Sequence, residues 1–529
     1  MSGARPEPGR WTRRLADFLD ANAALRGQAE ALVTERARLS HAALRAEVRR
    51  LARAMLALGI RRGERIALLL PNDEAWVTLF FAAASIGAVT VPLNTRWKAP
   101  EIAFALRQAE CVAVFSAHGF LSQDFRAFLL EAEPALATAL PGAALPRLRA
   151  AVFTSGDPPR GALGWDAFRA LDVGEAALEA ASAAVSPEDE LLVQFTSGTT
   201  AHPKGVLLTH HNMLRNAAAC AERLGVRADD RYLNCRPFFH VAGSTLSLLV
   251  CLVTGATLVT PPTFEAGAAL RLLEAERCTV TSGNDAIFQL LMAHPEFDRT
   301  RLHLRAGWAA AGPETMRRIV EELGMRDVCW AYGLSEASPN VVLSDHREPV
   351  EARIAGGAFP HPGVEVRIAK DGEIQVKGWS VMKGYVGNPE ATAAAFTPDG
   401  WLRTGDLGSI GADGRLRLAG RLKDVIRVGG ENMAPAEVEE VLSTHPAVAL
   451  AQVVGVPDAR LGEVPVAFVQ LRDGAAATAE ELLAWLKPKV AGFRLPRRLW
   501  IVPEFESIGM TASGKVQKAK LREHALSLL

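Results

Sequence analysis

From Thr196 to Gly205 the chain reads Thr196-Ser197-Gly198-Thr199-Thr200-Ala201-His202-Pro203-Lys204-Gly205. Hydroxyls, a glycine and a lysine on one loop supply many donors and little bulk, which suits wrapping polyphosphate oxygens with Lys204 as a point charge. It is not a Walker A loop, because Gly198 lies six residues before Lys204 and Gly205 follows the lysine. Near the other end, Thr511-Ala512-Ser513-Gly514-Lys515 sets a second lysine among small residues. Between them stand Tyr332, Glu336, Asp406 and Arg421: a ring that can stack, two carboxylates, and a guanidinium. Singly, each has a bland reading as a surface turn, a solvated lysine or a structural side chain.

The elements that must position these residues follow from patterning. An apolar run at 191–195 precedes the hydroxyl loop, and a helical pattern starts near Thr209. Short apolar runs at 65–70, 112–115, 256–259 and 364–368 alternate with helical patterns such as 74–87 and 266–276. This alternation predicts α/β layers with largely parallel sheets. The Ala-rich stretch 174–185 reads as a surface helix. After about residue 360 short strands and Gly-rich turns take over. From Gly420 onward a helix at 435–443, strands near 451–454 and 464–471, and a helix at 479–490 predict a small α+β domain. The expected domains are 1–420 and 421–529.

At 529 residues the chain exceeds one hydrophobic core. Lys+Arg and Asp+Glu balance at 59 each, which argues against nucleic acid or an anionic membrane as partner. The six cysteines are scattered without a CxxC pair, as expected of reduced thiols in a cytoplasmic protein. The polar N-terminus reads as a frayed tail, not a signal peptide. The stretch 237–264 lacks Asp, Glu, Lys and Arg and is long enough to span a bilayer. Its Ser, Thr and Gly content and Pro261-Pro262 favour a buried helix followed by a buried strand, with no membrane span.

The hydroxyl loop closely resembles the phosphate-binding signature of adenylate-forming enzymes, the superfamily of acyl-CoA synthetases (the fatty-acid-CoA ligase type among them), peptide-synthetase adenylation domains and beetle luciferase. Six further motifs occur in that family's order: Pro237-Phe238-Phe239-His240, Ala310-Ala311-Gly312-Pro313, Tyr332-Gly333-Leu334-Ser335-Glu336, Gly400-Trp401-Leu402-Arg403-Thr404-Gly405-Asp406, Gly420-Arg421-Leu422-Lys423-Asp424 and Thr511–Lys515. The resemblance implies a large N-terminal domain of αβ-layered sheets with a β-barrel-like subdomain, then a small mobile α+β domain carrying the catalytic lysine. It implies ATP, Mg²⁺ and coenzyme A as cofactors and a small-molecule carboxylic acid as substrate. The acid attacks the α-phosphorus of ATP, pyrophosphate leaves, and the acyl group of the adenylate passes to a thiol.

Roles carried over residue by residue place Thr196, Ser197, Gly198, Thr199, Thr200 and Lys204 on the phosphates. Ala311, Gly312, Pro313, Tyr332, Gly333 and Ser335 meet the nucleotide, with Tyr332 stacked on adenine. Glu336 binds Mg²⁺, helped by Thr199. Asp406 and Arg421 hold the ribose, His240 gates the carboxylate pocket, and Lys515 lies over the carboxylate and α-phosphate. Val428-Gly429-Gly430-Glu431-Asn432 is similar to the acyl-CoA synthetase loop that lines the pantetheine tunnel after the small domain swings about Lys423 or Asp424. Lys423, Arg427, Gly429 and Gly430 are therefore assigned to cofactor contacts. By its residues alone Gly429-Gly430 reads equally well as a hairpin turn.

The acyl pocket is expected near His240, Gly243, Ala310, Ala331, Pro339 and Asn340. Small Gly243 and Ala310 leave room for an aromatic or branched medium-length acid, and Asn340 hints at a polar one. Departures from the family pattern are Ala201 for Gly, Ser335 for Thr, Trp330 near the adenine, Gly509 for Pro, and Asn284-Asp285, which reads as a helix N-cap. A carrier protein supplied in trans is the alternative acceptor, and a homodimer is allowed.

Overall fold

The computed structural model describes residues 11–196, 203–510 and 516–529. Two large sheets form its body. In the first, Arg65–Leu69, Val89–Pro92, Ala113–Ser116, Ala150–Phe153 and Glu190–Thr196 run parallel, and Lys204–Thr209 and Gly384–Tyr385 extend one edge antiparallel. In the second, Thr257–Val259, Arg231–Leu233, Val280–Thr281, Ala306–Ala310 and Asp327–Gly333 run parallel, closed at one edge by antiparallel Asn340–Leu343. Where the barrel-like subdomain is expected, Val364–Ile368, Glu373–Gly378, Leu402–Ile410 and Leu416–Arg421 make a four-stranded antiparallel sheet.

The small C-terminal domain carries its own sheet of Glu431–Met433, Ile426–Val428, Gly462–Leu471, Val448–Asp458 and Leu499–Val502, flanked by Pro435–Ser443 and Ala479–Leu486. The second helix is shorter than the apolar pattern predicts. Thr478 and Glu481 cap its start reciprocally, and Pro488 stops it.

The core lies between the two large sheets. Helix Glu74–Ser85 is apolar on every side and buried on every side, with Trp76, Phe80 and Phe81 fully enclosed. The run at 237–264 forms the turn Val241–Gly243, a π-helical turn Ser244–Leu249, the helix Val250–Thr254 and the strand Thr257–Val259, nearly all buried. Among the described residues no helix is long and apolar enough to cross a membrane. All six cysteines are buried and unpaired.

One side chain ties the sheets together beside His240. Asn72, which follows Arg65–Leu69, accepts from the Phe238 amide at 2.8 Å and donates to the Arg236 carbonyl at 2.7 Å. Trp76 packs on Phe238 with ring centroids 4.8 Å apart. Asn72→Ala keeps the packing and strands the buried Phe238 N–H, at a cost of about 1–3 kcal/mol. The expected result is a fall of a few degrees in Tm with the fold retained. An unchanged Tm would mean that this bond does not stitch the sheets.

Candidate active site

The carboxyl ends of parallel strands gather at one edge of the second sheet, the usual position for ligands in open α/β sheets. Arg231–Leu233 leads to His240, Val280–Thr281 to Asn284 and Asp285, Ala306–Ala310 to the Ala311–Pro313 turn, and Asp327–Gly333 to Glu336. Glu190–Thr196 of the first sheet ends at the same place, and Gln194 donates to the Phe239 carbonyl at 2.6 Å. The described residues expected at the phosphates (Thr196 and Lys204), the adenine and the carboxylate therefore converge although they span more than a hundred positions of sequence.

Two polar clusters occupy this edge. In the first, the buried Asp406 carboxylate accepts the Tyr332 hydroxyl at 2.9 Å and pairs with Arg421 Nε at 3.3 Å. Burial and the Asp406 charge push the Tyr332 phenol well above its ordinary range, so it stays a donor. In the second, Tyr385 donates to Glu336 Oε1 at 2.9 Å, and the Lys204 ammonium lies 5.0 Å from the same ring. Burial, then the Glu336 charge, likewise keeps the Tyr385 phenol protonated. Tyr385 lies in none of the motifs that the sequence shares with the family. Its signal was rarity: tyrosine occurs three times against 21 phenylalanines, and each of the three hydroxyls donates a hydrogen bond.

His240 caps the turn Val241–Gly243 by accepting the Ala242 amide on Nδ1 at 3.1 Å. Gly243 is small for a backbone reason: a Cβ there would lie 2.4 Å from the Pro237 carbonyl oxygen. Gly333 is likewise needed, with a Cβ 2.1 Å from the Pro339 carbonyl oxygen, where Leu334 N–H closes the turn that carries Ser335 and Glu336. Ala310 is exposed at the strand end, whereas Ala331 is buried in the intersheet core. Asn340 is buried with its carboxamide oxygen 2.7 Å from His361 Nε2, and its backbone N–H and C=O are both bonded to Asn216. Trp330 is a core side chain.

Ser197, Gly198, Thr199, Thr200, Ala201 and His202 of the hydroxyl loop, and Thr511 to Lys515, lie outside the described residues. Arg427, Gly429 and Gly430 are exposed on the C-terminal domain. Gly429 and Gly430 both have positive φ, +60° and +93°, as a tight hairpin between Ile426–Val428 and Glu431–Met433 requires. Lys423 stands in the turn Leu422–Asp424, where desolvation and then Arg421 lower its ammonium pKa.

Asn284 caps Asp285–Ala293 through the Ile287 amide at 3.3 Å. Asp285 next to it faces the small domain. Burial lifts its carboxyl to about 6, and the charges of Glu440 and Glu439 add to this against hydrogen bonds from Thr315 and the Gly312 amide. The folded protein thus holds a proton that the unfolded chain, with its ordinary value of 3.8, releases, so stability falls as pH rises from about 3.8 to about 6. Asp285→Asn removes that fall: its Tm exceeds that of the unaltered protein near neutral pH, and the two converge under acid. Parallel Tm curves across this window would refute the assignment.

Residues 19–386 match the family described as AMP-binding enzyme, and residues 437–515 match the AMP-binding enzyme C-terminal domain. The chain belongs to the AMP-binding enzyme family. A relative of this AMP-binding enzyme in Mycobacterium tuberculosis, a 3-[(3aS,4S,7aS)-7a-methyl-1,5-dioxo-octahydro-1H-inden-4-yl]propanoyl:CoA ligase, is 40% identical over 93% of the chain and 95% of its own length. The human mitochondrial medium-chain acyl-CoA ligase ACSF2 is 33% identical over 97% of the chain and 87% of its own length. The crystal structure of the anthranilate CoA ligase AuaEII in complex with anthranoyl-AMP superposes with a TM-score of 0.87 at 25% identity, covering 99% of both chains.

Proposed function

We propose that this AMP-binding enzyme is an AMP-forming acid–thiol ligase that converts a carboxylic acid and ATP to acyl-AMP and pyrophosphate, then passes the acyl group to coenzyme A. The observation that carries the reading is the meeting at one sheet edge of Tyr332–Asp406–Arg421 with Glu336 and Lys204. The first cluster offers a carboxylate acceptor for vicinal ribose hydroxyls, held in place by a phenol and a guanidinium. The second offers opposite charges where a polyphosphate and its cation would lie. Coenzyme A as acceptor draws support from the relatives, which are named as CoA ligases.

Mg²⁺ fits this donor set. A magnesium ion shared with phosphates needs only one or two protein carboxylates, and Glu336 is half-exposed with Oε1 engaged by Tyr385 and Oε2 left for a ligand. Bound there with Thr199 as the second candidate, the ion would offset phosphate charge. The chain's own groups do the rest: Lys204 draws the phosphates in, Asp406 fixes the ribose, His240 borders the path of the acid, and Lys515 meets the carboxylate and α-phosphate from the small domain. That domain, residues 421–529 in this reading, then turns about Lys423–Asp424 and brings Gly429-Gly430 to the pantetheine arm.

The acid we propose is aromatic or branched and of medium length. With its carboxamide oxygen turned to His361, Asn340 lends little support to a hydroxylated acid. The buried, unpaired thiols fit the cytoplasm. The test is incubation of the protein with Mg²⁺, ATP, free coenzyme A and a panel of branched, aromatic and straight-chain acids. Thioester and AMP in equal amounts are expected. AMP release without thioester until a carrier protein is added would instead favour the carrier acceptor.

A further inference from the structure

We propose that Tyr385 is a positioning residue for nucleotide activation, its hydroxyl aiming the Glu336 carboxylate and its ring seating the Lys204 ammonium. This rests on the ligase reading above and assigns work to a residue outside the nucleotide-binding motifs. Tyr385 lies on the short strand Gly384–Tyr385, which pairs antiparallel with Lys204–Thr209 in the register Val206↔Tyr385. That register makes Lys204 the diagonal neighbour of Tyr385 on the same face, a spacing within reach of long and aromatic side chains. The pairing is fixed on either side by Val386 N–H to the Gly205 carbonyl at 2.8 Å and Lys383 N–H to the Leu207 carbonyl at 3.0 Å.

The same segment grips the Glu336 turn. Met382 N–H donates to the Glu336 carbonyl at 2.9 Å, and the Ser338 hydroxyl donates to the Ser380 carbonyl at 2.7 Å. Backbone bonds therefore set where Glu336 stands, and the phenol sets where its carboxylate points. A phenylalanine would satisfy the packing, and this chain uses phenylalanine seven times as often as tyrosine, 21 to 3. The hydroxyl is what needs a reason. Bonded to one carboxylate oxygen, it restrains the torsion of a flexible side chain and leaves the other oxygen, with no hydrogen-bond partner among the described residues, for a ligand. The ring, meanwhile, holds Lys204 by cation–π attraction within the same group, so the lysine that would pair with a polyphosphate and the carboxylate that would hold its metal ion are both set by a single residue.

The two halves of the role separate experimentally. ATP binding is measured by calorimetry without acid substrate, in EDTA and in excess magnesium chloride, for the unaltered protein, Tyr385→Phe, Tyr385→Leu, Glu336→Gln and the double variant Tyr385→Phe/Glu336→Gln. Tyr385→Phe keeps metal-free affinity and loses about tenfold of the magnesium-dependent gain, the scale of one hydrogen bond to a charged group. Tyr385→Leu also weakens metal-free binding by about two- to fivefold, as loss of one cation–π contact predicts. The double variant binds no worse in magnesium than Glu336→Gln alone, because both changes act through one carboxylate. A full magnesium gain in Tyr385→Phe, or additive losses in the double variant, overturns the proposal and leaves the ligase reading standing. No magnesium gain in the unaltered protein sinks the metal-dependent ligase reading, and this inference with it.

Discussion

Lys515→Ala lowers the rate of acyl-adenylate formation by about 10²–10³-fold, the scale of removing one preorganised charge donor from a transition state, while thioester formation from supplied acyl-AMP proceeds at its former rate. Attack of a carboxylate on the α-phosphorus brings two anions together and builds charge on equatorial oxygens. A single ammonium over both offsets that charge in the transition state more than in the ground state, which is what accelerates a step. Lys515 itself lies outside the described residues, but its flanks are fixed. Met510 pairs with Val516, and the Gln517 amide donates to the Gly509 carbonyl at 2.9 Å, both on the small domain. Val516 and Phe505 are buried, and Lys518 is paired with Glu439 at 2.7 Å. In the proposed mechanism Lys515 serves the first half-reaction and leaves the site when the small domain turns. The thioester half-reaction, with adenylate already formed, has no use for it. Pyrophosphate release from acid and ATP reads the first half, and thioester formation from synthetic acyl-AMP and coenzyme A reads the second. Equal losses in both would contradict a lysine that serves one half only.

How much of this was legible in the sequence depended on whether the cause was local. Helix Glu74–Ser85 could be placed to within two residues because the mostly apolar run after Asp73 has one stable fate, a buried helix with Asp73 accepting the Trp76 amide at 2.8 Å. The run at 237–264 was readable as buried helix plus strand for the same reason, but its π-helical turn Ser244–Leu249 was not, since no residue type marks the extra residue. At the site, the residue types that bear charge were all visible. Their partners were not, because pairing is set by topology. Tyr332 and Asp406 stand 74 positions apart and read as separate contacts to adenine and ribose, yet they share a hydrogen bond. Glu336 and Tyr385 stand 49 apart and meet only because Gly384–Tyr385 joins the first sheet's edge beside Lys204. Asn340 reads from sequence as a pocket wall, and in the fold its carboxamide oxygen also lies 2.7 Å from His361 Nε2; Gly243 reads as spare volume, and in the fold its missing Cβ would lie 2.4 Å from the Pro237 carbonyl oxygen. A side chain's type is a property of the sequence; the atom it spends that chemistry on is a property of the fold.

Asp406→Ala separates the ribose role from the structural one. In the folded protein Asp406 is 5% exposed, and the partners of its carboxylate include Tyr332 Oη and Arg421 Nε. Removing it leaves a buried phenol without that acceptor and a guanidinium without that counter-ion, at about 1–3 kcal/mol of stability for the phenol alone. Lower stability is therefore expected whatever the ligand, and loss of activity by itself would not distinguish the two roles. Ligand discrimination does. If the carboxylate accepts the ribose hydroxyls, the unaltered protein binds ATP about tenfold or more better than 2′-deoxy-ATP, since a site built to bond a hydroxyl is left with an unmatched charged acceptor when the hydroxyl is missing. In Asp406→Ala that acceptor is gone, so ATP affinity falls to the level of 2′-deoxy-ATP and the ratio approaches one. Tyr332→Phe serves as the comparison: it removes one donor to the carboxylate, weakens the hold on Asp406, and keeps the ratio because the acceptor remains. Calorimetric affinities for both nucleotides with each variant supply the answer. An Asp406→Ala protein that binds both more weakly but still prefers ATP by the original factor would show that the carboxylate shapes the site only through Tyr332 and Arg421, and that the ribose is read elsewhere.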